Sequence, residues 1–415
     1  MWSVRRLDIA WSDVAAGLAG CLAPCRGPAD ALPCLSVRSG FDLLLRALDL
    51  PRKSEVLLSA VTIPDMARIV EAHGLVAVPV DLDLLALGPL PAALEAAVTP
   101  RSRLLVVAHL LGSRVESAPL VEFARRHGLL LIDDLAQGFA GWPEPCAADV
   151  ALYSFGPIKT ATALGGALVR VRSAGLLARL QEIQASDPLQ PRLAFARRLL
   201  KFAALKAASA RPAFDLLVGL LRAAGCDYDR TFADMFRGFP GPDLLGKLRQ
   251  RPSAALLSLL ARRLEHFDVG RLDDRAAQAR RLIGRIARRW FVPGAAAWEH
   301  THWAVPVLAA DPPRLIQRLA RAGFQASQPR SLTAVAPPAD RPQLTPRQAQ
   351  RLIAEAVFLP VYRELPAREI ERLAQVLLSC AEFASPPPAC WAVSPSRPPP
   401  RPSETCALRG GWRGP

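Results

Sequence analysis

The chain has 415 residues, 51% of them hydrophobic and 21% charged, enough for two domains with a large buried core and ordinary for a soluble enzyme. Its net charge of +15 comes without a sustained Lys/Arg block, zinc-finger spacing or RNA-binding signature, so a nucleic-acid reader is set aside and the basicity reads as an aid to attracting anionic substrates. No apolar run approaches a membrane span, and the eight scattered cysteines form no metal-ligand set, which suits free thiols in a reducing cytoplasm.

Residues 1–35 are an N-terminal segment. Leu18-Ala19-Gly20-Cys21 superficially resembles a lipoprotein cleavage site, but Asp8 and Asp13 break the apolar core such a signal needs. Ser39-Gly40 then precedes an apolar helix, Phe41 to Leu48. From Glu55 onward strand and helix alternate. Strands are expected at Glu55–Leu58, Leu75–Val80, Leu104–His109, Leu129–Asp133, Val150–Phe155 and Ala167–Val171. Helices are expected from Pro64 to Ala72 and from Ser117 to just before Gly128, whose ends carry the usual start and stop residues. This is an α/β pattern with a mostly parallel central sheet and helices on both faces.

Leu176 to Arg280 reads as helical and departs from that rhythm. Arg192 to Arg222 holds seven basic residues against one acid, Asp215, which fits either a helical excursion packed on the body or an amphipathic surface for a membrane. The large domain is therefore drawn as residues 36–280 with a basic insert at about 176–235. A smaller α+β domain follows at 281–384, with strands at His302–Leu308 and Ala356–Leu359 and helices at Pro313–Ala322 and Ala367–Leu378. Residues 385–415 are too proline-rich for a core and read as a disordered tail.

The chemistry concentrates at two strand ends. Asp134 follows LLLID, and Lys159 follows VALYSF after a Gly-Pro turn. Parallel sheets gather such ends at the edge where open α/β folds bind ligands. An acid and a lysine there suit pyridoxal phosphate (PLP): the lysine forms the Schiff base, and the acid keeps the pyridine nitrogen protonated. Ser154 offers a hydroxyl for a phosphate, Gly165-Gly166 let the chain turn back beside a cofactor, and Gln137 is placed to reach the same ligand as Asp134. Asp133 and Asp134 are both able to cap a helix, so residue type alone does not choose between them. His109 ends a strand at the same edge, either as a structural hydrogen-bonder or as a substrate contact. His300, His302 and Trp303 face either the cleft or the core.

Taken in order, Ser39–Leu44, Thr62-Ile63, VDLD (Val80–Asp83), HLLG (His109–Gly112), DDLAQ (Asp133–Gln137), SFGPIK (Ser154–Lys159) and LGGALV (Leu164–Val169) resemble the DegT/DnrJ/EryC1/StrS family. The resemblance returns at Arg251–Asp268, His300–Val307 and Phe358–Leu373. It implies the fold of type I PLP-dependent transferases and a homodimeric aminotransferase. That enzyme takes an amino group from an amino acid, glutamate first, and gives it to a keto sugar, nucleotide-linked in most of the family. Carried over by residue, Lys159 is the Schiff-base lysine and proton shuttle, and Asp134 pairs with the pyridine nitrogen. Gln137 lies against the ring or its hydroxyl, and Ser154 contacts the phosphate together with the Gly40-Phe41 backbone. Phe41 stands where the family has a threonine and Ile63 where it has an aromatic ring, and the family's cross-dimer asparagine has no counterpart near Arg237-Gly238-Phe239. These departures leave the phosphate either to an arginine or to a looser grip. They also keep open a second reading, a non-catalytic or membrane-surface scaffold that retains the fold.

Overall fold

The computed structural model describes Trp2 and residues 7–20, 31–144, 146–208 and 243–387. The chain divides into two compact units, Met1–Ser385 and Pro386–Pro415, and nearly all described residues belong to the first. Arg211, Asp215 and Arg222 of the basic stretch, Arg237-Gly238-Phe239 and the proline-rich run from residue 388 lie outside them.

Nine strands build the N-terminal part: β1 (Leu32–Cys34), β2 (Glu55–Ser59), β3 (Val61–Thr62), β4 (Val76–Val80), β5 (Ser102–Ala108), β6 (Ser113–Arg114), β7 (Leu130–Asp134), β8 (Val150–Ser154) and β9 (Ala167–Val171). Seven form one sheet in the order β1-β9-β8-β7-β5-β2-β4. Its β8-β7-β5-β2-β4 portion is parallel, and β9 runs antiparallel to both its neighbours. These strands are almost unbroken Val/Leu/Ile runs because both faces are covered, as parallel sheets require. Alternation divides each strand between two cores. Val56, Leu58, Leu104, Val106 and Ile132 pack under the helices Val37–Leu48, Pro64–Ala72 and Ala174–Ser186. On the other face, Leu57, Leu105, Val107 and Leu131 pack against Pro91–Ala97 and Ser117–His127.

The helix expected at Phe41 begins a turn earlier, at Val37. Ser36 caps it, its Oγ accepting from the Ser39 amide at 3.1 Å. Gly40 is therefore inside the helix rather than at its mouth. A Cβ on Gly40 would meet Val169 Cγ2 at 2.5 Å, so the missing side chain lets helix and β9 approach.

The basic helix Arg192–Ala208 packs on the body. Phe195, Leu199, Phe202 and Leu205 enter a core with Phe139, Tyr153, Phe155 and Leu164, while Leu193 and Leu200 stay exposed. Its apolar stripe is thus spent on the protein's own interior. Among the described residues, no helix is long and apolar enough to cross a membrane.

Beyond residue 286, β10 (Glu299–His300) pairs with β6, β11 (Val305–Leu308) with β13 (Ala356–Leu359), and β12 (Thr333–Ala334) with β3, all antiparallel. The strand expected from His302 starts only at Val305, because His302 adopts φ +49° and turns the chain. The β11–β13 ladder shares a core with the helices Gly270–Ile286, Pro312–Arg321 and Ala367–Ser379, centred on fully buried Trp290, whose Nε1 donates to Leu377 O at 2.9 Å.

Candidate active site

The parallel strands deliver their C-terminal ends to one edge in register, with Ala108 opposite Asp134 and Asp134 opposite Leu152. A cavity of about 800 Å³ opens there, large enough for a cofactor and a substrate together. Asp134, Gln137, Ser154, Lys159, His109 and Ile63 all line it. Gly40 and Phe41 do not: Phe41 is buried in the sheet-facing core, and the Gly40 amide donates to Ser36 O at 3.0 Å within the helix. The turn that does reach the cavity is Ser36-Val37-Arg38.

Strand alternation separates the two neighbouring acids. Asp134 faces the cavity; Asp133 faces away, toward His109 and the Cys146 thiol. One Asp134 oxygen accepts from the Ala136 amide at 3.0 Å. Burial raises its pKa above the ordinary carboxylate value, outweighing that bond and the nearby charges of Lys159 and His109. A carboxyl in this state gains from a cationic donor placed against it.

Lys159 shows the converse. Burial pushes it down to about 8, with Asp134 pulling it up and Arg38 pressing it further down. Its Nζ lies 4.7 Å from the Trp303 ring centroid, and the Trp303 indole N–H donates to Ile158 O at 3.0 Å, so the ring is fixed over the amine by the lysine's own loop.

Gln137 and His109 are held by backbone. Gln137 Oε1 accepts from the Leu111 amide at 2.8 Å, and His109 Nδ1 accepts from the Val115 amide at 3.1 Å. His109 Nε2 lies 3.2 Å from Asp133 Oδ1, and the ring is almost wholly buried. Both ring nitrogens are thus turned to the protein, which makes His109 a fixed wall of the site. Ile63 caps the helix Pro64–Ala72 and packs on the adjoining core. His300 and His302 stack on each other at 4.0 Å rather than lining the cavity, and burial pushes them down to about 2 and about 4.

Several wall residues escaped the sequence reading. Arg38, Arg198, Arg263, Arg271, Arg275 and Arg330 line the cavity, where the carboxylates are Asp8, Asp65, Asp134 and Glu364. Some of these charges are neutralised within the wall. Arg263 bonds Asp13 at 2.6 Å, Arg271 bonds Asp8 at 2.6 Å and Arg38 bonds Asp65 at 2.6 Å. Arg275 gives its Nε to Thr301 O at 2.8 Å, and one of its terminal nitrogens is buried with no partner among the described residues. Burial pushes Arg275 and Arg198 down to about 10. For Arg198 a signal was present: it shares a helix face with Phe195, Leu199 and Phe202, and an arginine on an apolar stripe has a reason to be there.

Residues 22–186 match the DegT/DnrJ/EryC1/StrS aminotransferase family. Over 168 residues the chain is 30% identical to a GDP-perosamine synthase of Caulobacter vibrioides, covering 39% of this chain and 45% of that protein. Over 163 residues it is 31% identical to a UDP-N-acetyl-3-dehydro-alpha-D-glucosamine 3-aminotransferase of Acidithiobacillus ferrooxidans, covering 38% of this chain and 44% of that one. The chain thus spans a little under half the length of these relatives. The sugar aminotransferase CalS13 of Micromonospora echinospora superposes with a TM-score of 0.66 at 20% identity, over 91% of this chain and all of the other. The fold is that of the PLP-type sugar aminotransferases.

Proposed function

We propose that this chain, whose residues 22–186 match the DegT/DnrJ/EryC1/StrS aminotransferase family, is a PLP-dependent aminotransferase that moves an amino group from glutamate to a nucleotide-linked keto sugar. The observation that carries the reading is the pairing of Asp134 and Lys159 on one cavity wall, each with its ionisation displaced toward the neutral form. The donor set fits the cofactor: a buried carboxyl short of a cationic partner, a lysine held near neutrality, and the Ser154 hydroxyl beside a helix's first turn.

When bound, PLP supplies an aldehyde to the lysine and an electron sink to the substrate carbon. The Lys159 Nζ, held partly neutral, would be the nucleophile toward that aldehyde. As a free amine the same Nζ would accept a proton as a base and return it as an acid, a role that a pKa of about 8 suits in both directions. The Trp303 ring steadies the ammonium form and limits where it swings. Asp134 keeps a proton on the donor in front of it, and Gln137 and His109, fixed by backbone bonds, hold the wall. The arginines, Arg275 above all, suit carboxylate and diphosphate substituents.

This reading extends to a cytoplasmic homodimer. Light scattering reads its assembly state. The activity is tested by supplying glutamate with GDP- and UDP-linked keto sugars and following products by mass spectrometry. An amino sugar formed together with 2-oxoglutarate supports the reading; retained cofactor with no transfer to any such sugar opposes it.

A further inference from the structure

Resting on the PLP reading above, we propose that Arg198, from the basic helix Arg192–Ala208, and Arg38, from the first turn of helix Val37–Leu48, form the clamp for the cofactor's phosphate dianion. The backbone stitches the required pieces side by side. The Gly166 amide donates to Leu35 O at 2.9 Å and the Phe155 amide to Gly166 O at 3.0 Å, so Ser36, Gly166 and Ser154 meet at one end of the cavity. Arg198 reaches the same place. Its Nε donates to Leu164 O, and a Cβ built on Gly165 would lie 3.6 Å from that nitrogen.

Charge makes the case for an anion. Arg198 makes no ion pair with any described carboxylate, and the positive charge it senses is that of Arg38, which also presses on Lys159. Arg198, Arg38 and Lys159 line one cavity; Asp65 balances Arg38 at 2.6 Å and Asp134 acts on Lys159, so the excess positive charge rests on Arg198. Such a cluster is costly when empty and favourable around a dianion, because guanidinium groups bind phosphate oxygens through paired, charge-assisted hydrogen bonds. Helix start and Ser154 hydroxyl add neutral donors to the same end. The phosphate of a nucleotide sugar has the same chemistry, and the test separates the two sources.

The experiment titrates the full-length wild type, Arg198→Gln and Arg198→Lys with PLP and with unphosphorylated pyridoxal, reading Schiff-base absorbance. The clamp requires PLP affinity to fall at least tenfold in Arg198→Gln and less in Arg198→Lys, with pyridoxal affinity unchanged in both. Unchanged pyridoxal affinity also shows that the fold survives. Phenylglyoxal footprinting of the wild type gives an answer independent of any variant: Arg198 is protected by PLP and not by pyridoxal. PLP affinity within twofold of wild type in Arg198→Gln, or equal labelling with and without PLP, overturns the clamp and leaves the aminotransferase reading standing. A loss confined to the KM of the nucleotide sugar assigns Arg198 to the substrate and overturns the clamp. No Schiff base with either aldehyde in the wild type overturns both.

Discussion

The ionisation of Lys159 is the most exposed point of the account. Burial holds it at about 8, against about 10.5 for a free lysine. At pH 7.5 roughly a quarter of Lys159 is then neutral, against about one part in a thousand for an ordinary side chain, a gain of about 200-fold in nucleophile. Competitive labelling with acetic anhydride across pH 6 to 11, read by peptide mass spectrometry, measures this without any cofactor. Lys159 reactivity should level off above roughly pH 8, while a free lysine derivative added as the internal standard keeps gaining until about pH 10. The causes can be separated too. Asp134→Asn removes a charge that raises the lysine and should move its midpoint down; Arg38→Gln removes one that lowers it and should move it up. The sign for stability follows: between about 8 and 10.5 the unfolded chain binds more protons at this lysine, so stability gains from it as pH rises through that window. A Lys159 midpoint near that of the free lysine standard, or one that ignores both variants, would show that burial and these two charges do not set the amine.

Three further perturbations test other parts of the structure. Gly40→Ala pushes a methyl to within 2.5 Å of Val169 Cγ2 and should cost about 1–3 kcal/mol in urea unfolding, with PLP affinity of the folded fraction intact; a selective loss of affinity would return Gly40 to the phosphate site. Phe195→Ala empties a fully buried site under the basic helix and should cost about 3–5 kcal/mol, and if vesicle flotation rather than stability responds, that helix serves a membrane instead. Asp134→Asn should leave the cofactor-free protein at least as stable at neutral pH, because an ionised carboxylate is the form its burial opposes, while weakening PLP binding. A destabilised, cofactor-binding variant would make Asp134 a structural cap.

How much of this was legible in the residues differs from place to place. The strand ends at Asp134 and Ser154 were readable because buried parallel strands are long apolar runs, and the first polar residue after each marks the edge. The choice of Asp134 over Asp133 needed the register, since only alternation decides which of two adjacent acids faces the cavity. Gly40 misled for a physical reason: a glycine freeing a turn and a glycine admitting a neighbouring strand are the same letter, and Ser36 was the true cap. Arg198 was visible as an arginine on an apolar stripe, but its place beside Leu164 was hidden by distance in sequence, since it depends on how the basic helix docks. The stacking of His300 on His302 likewise follows from the positive φ at His302, which no local pattern announces.

The central claim is that Lys159 carries the cofactor. Purified protein mixed with PLP, reduced with borohydride, digested and analysed by tandem mass spectrometry tests it most directly. The account expects one phosphopyridoxyl group, on Lys159, and expects it to disappear when glutamate is added before the reductant, because the amino acid displaces the lysine. Label spread over surface lysines with none favouring Lys159 would contradict it; a Lys159 adduct that glutamate leaves untouched would overturn glutamate as the donor.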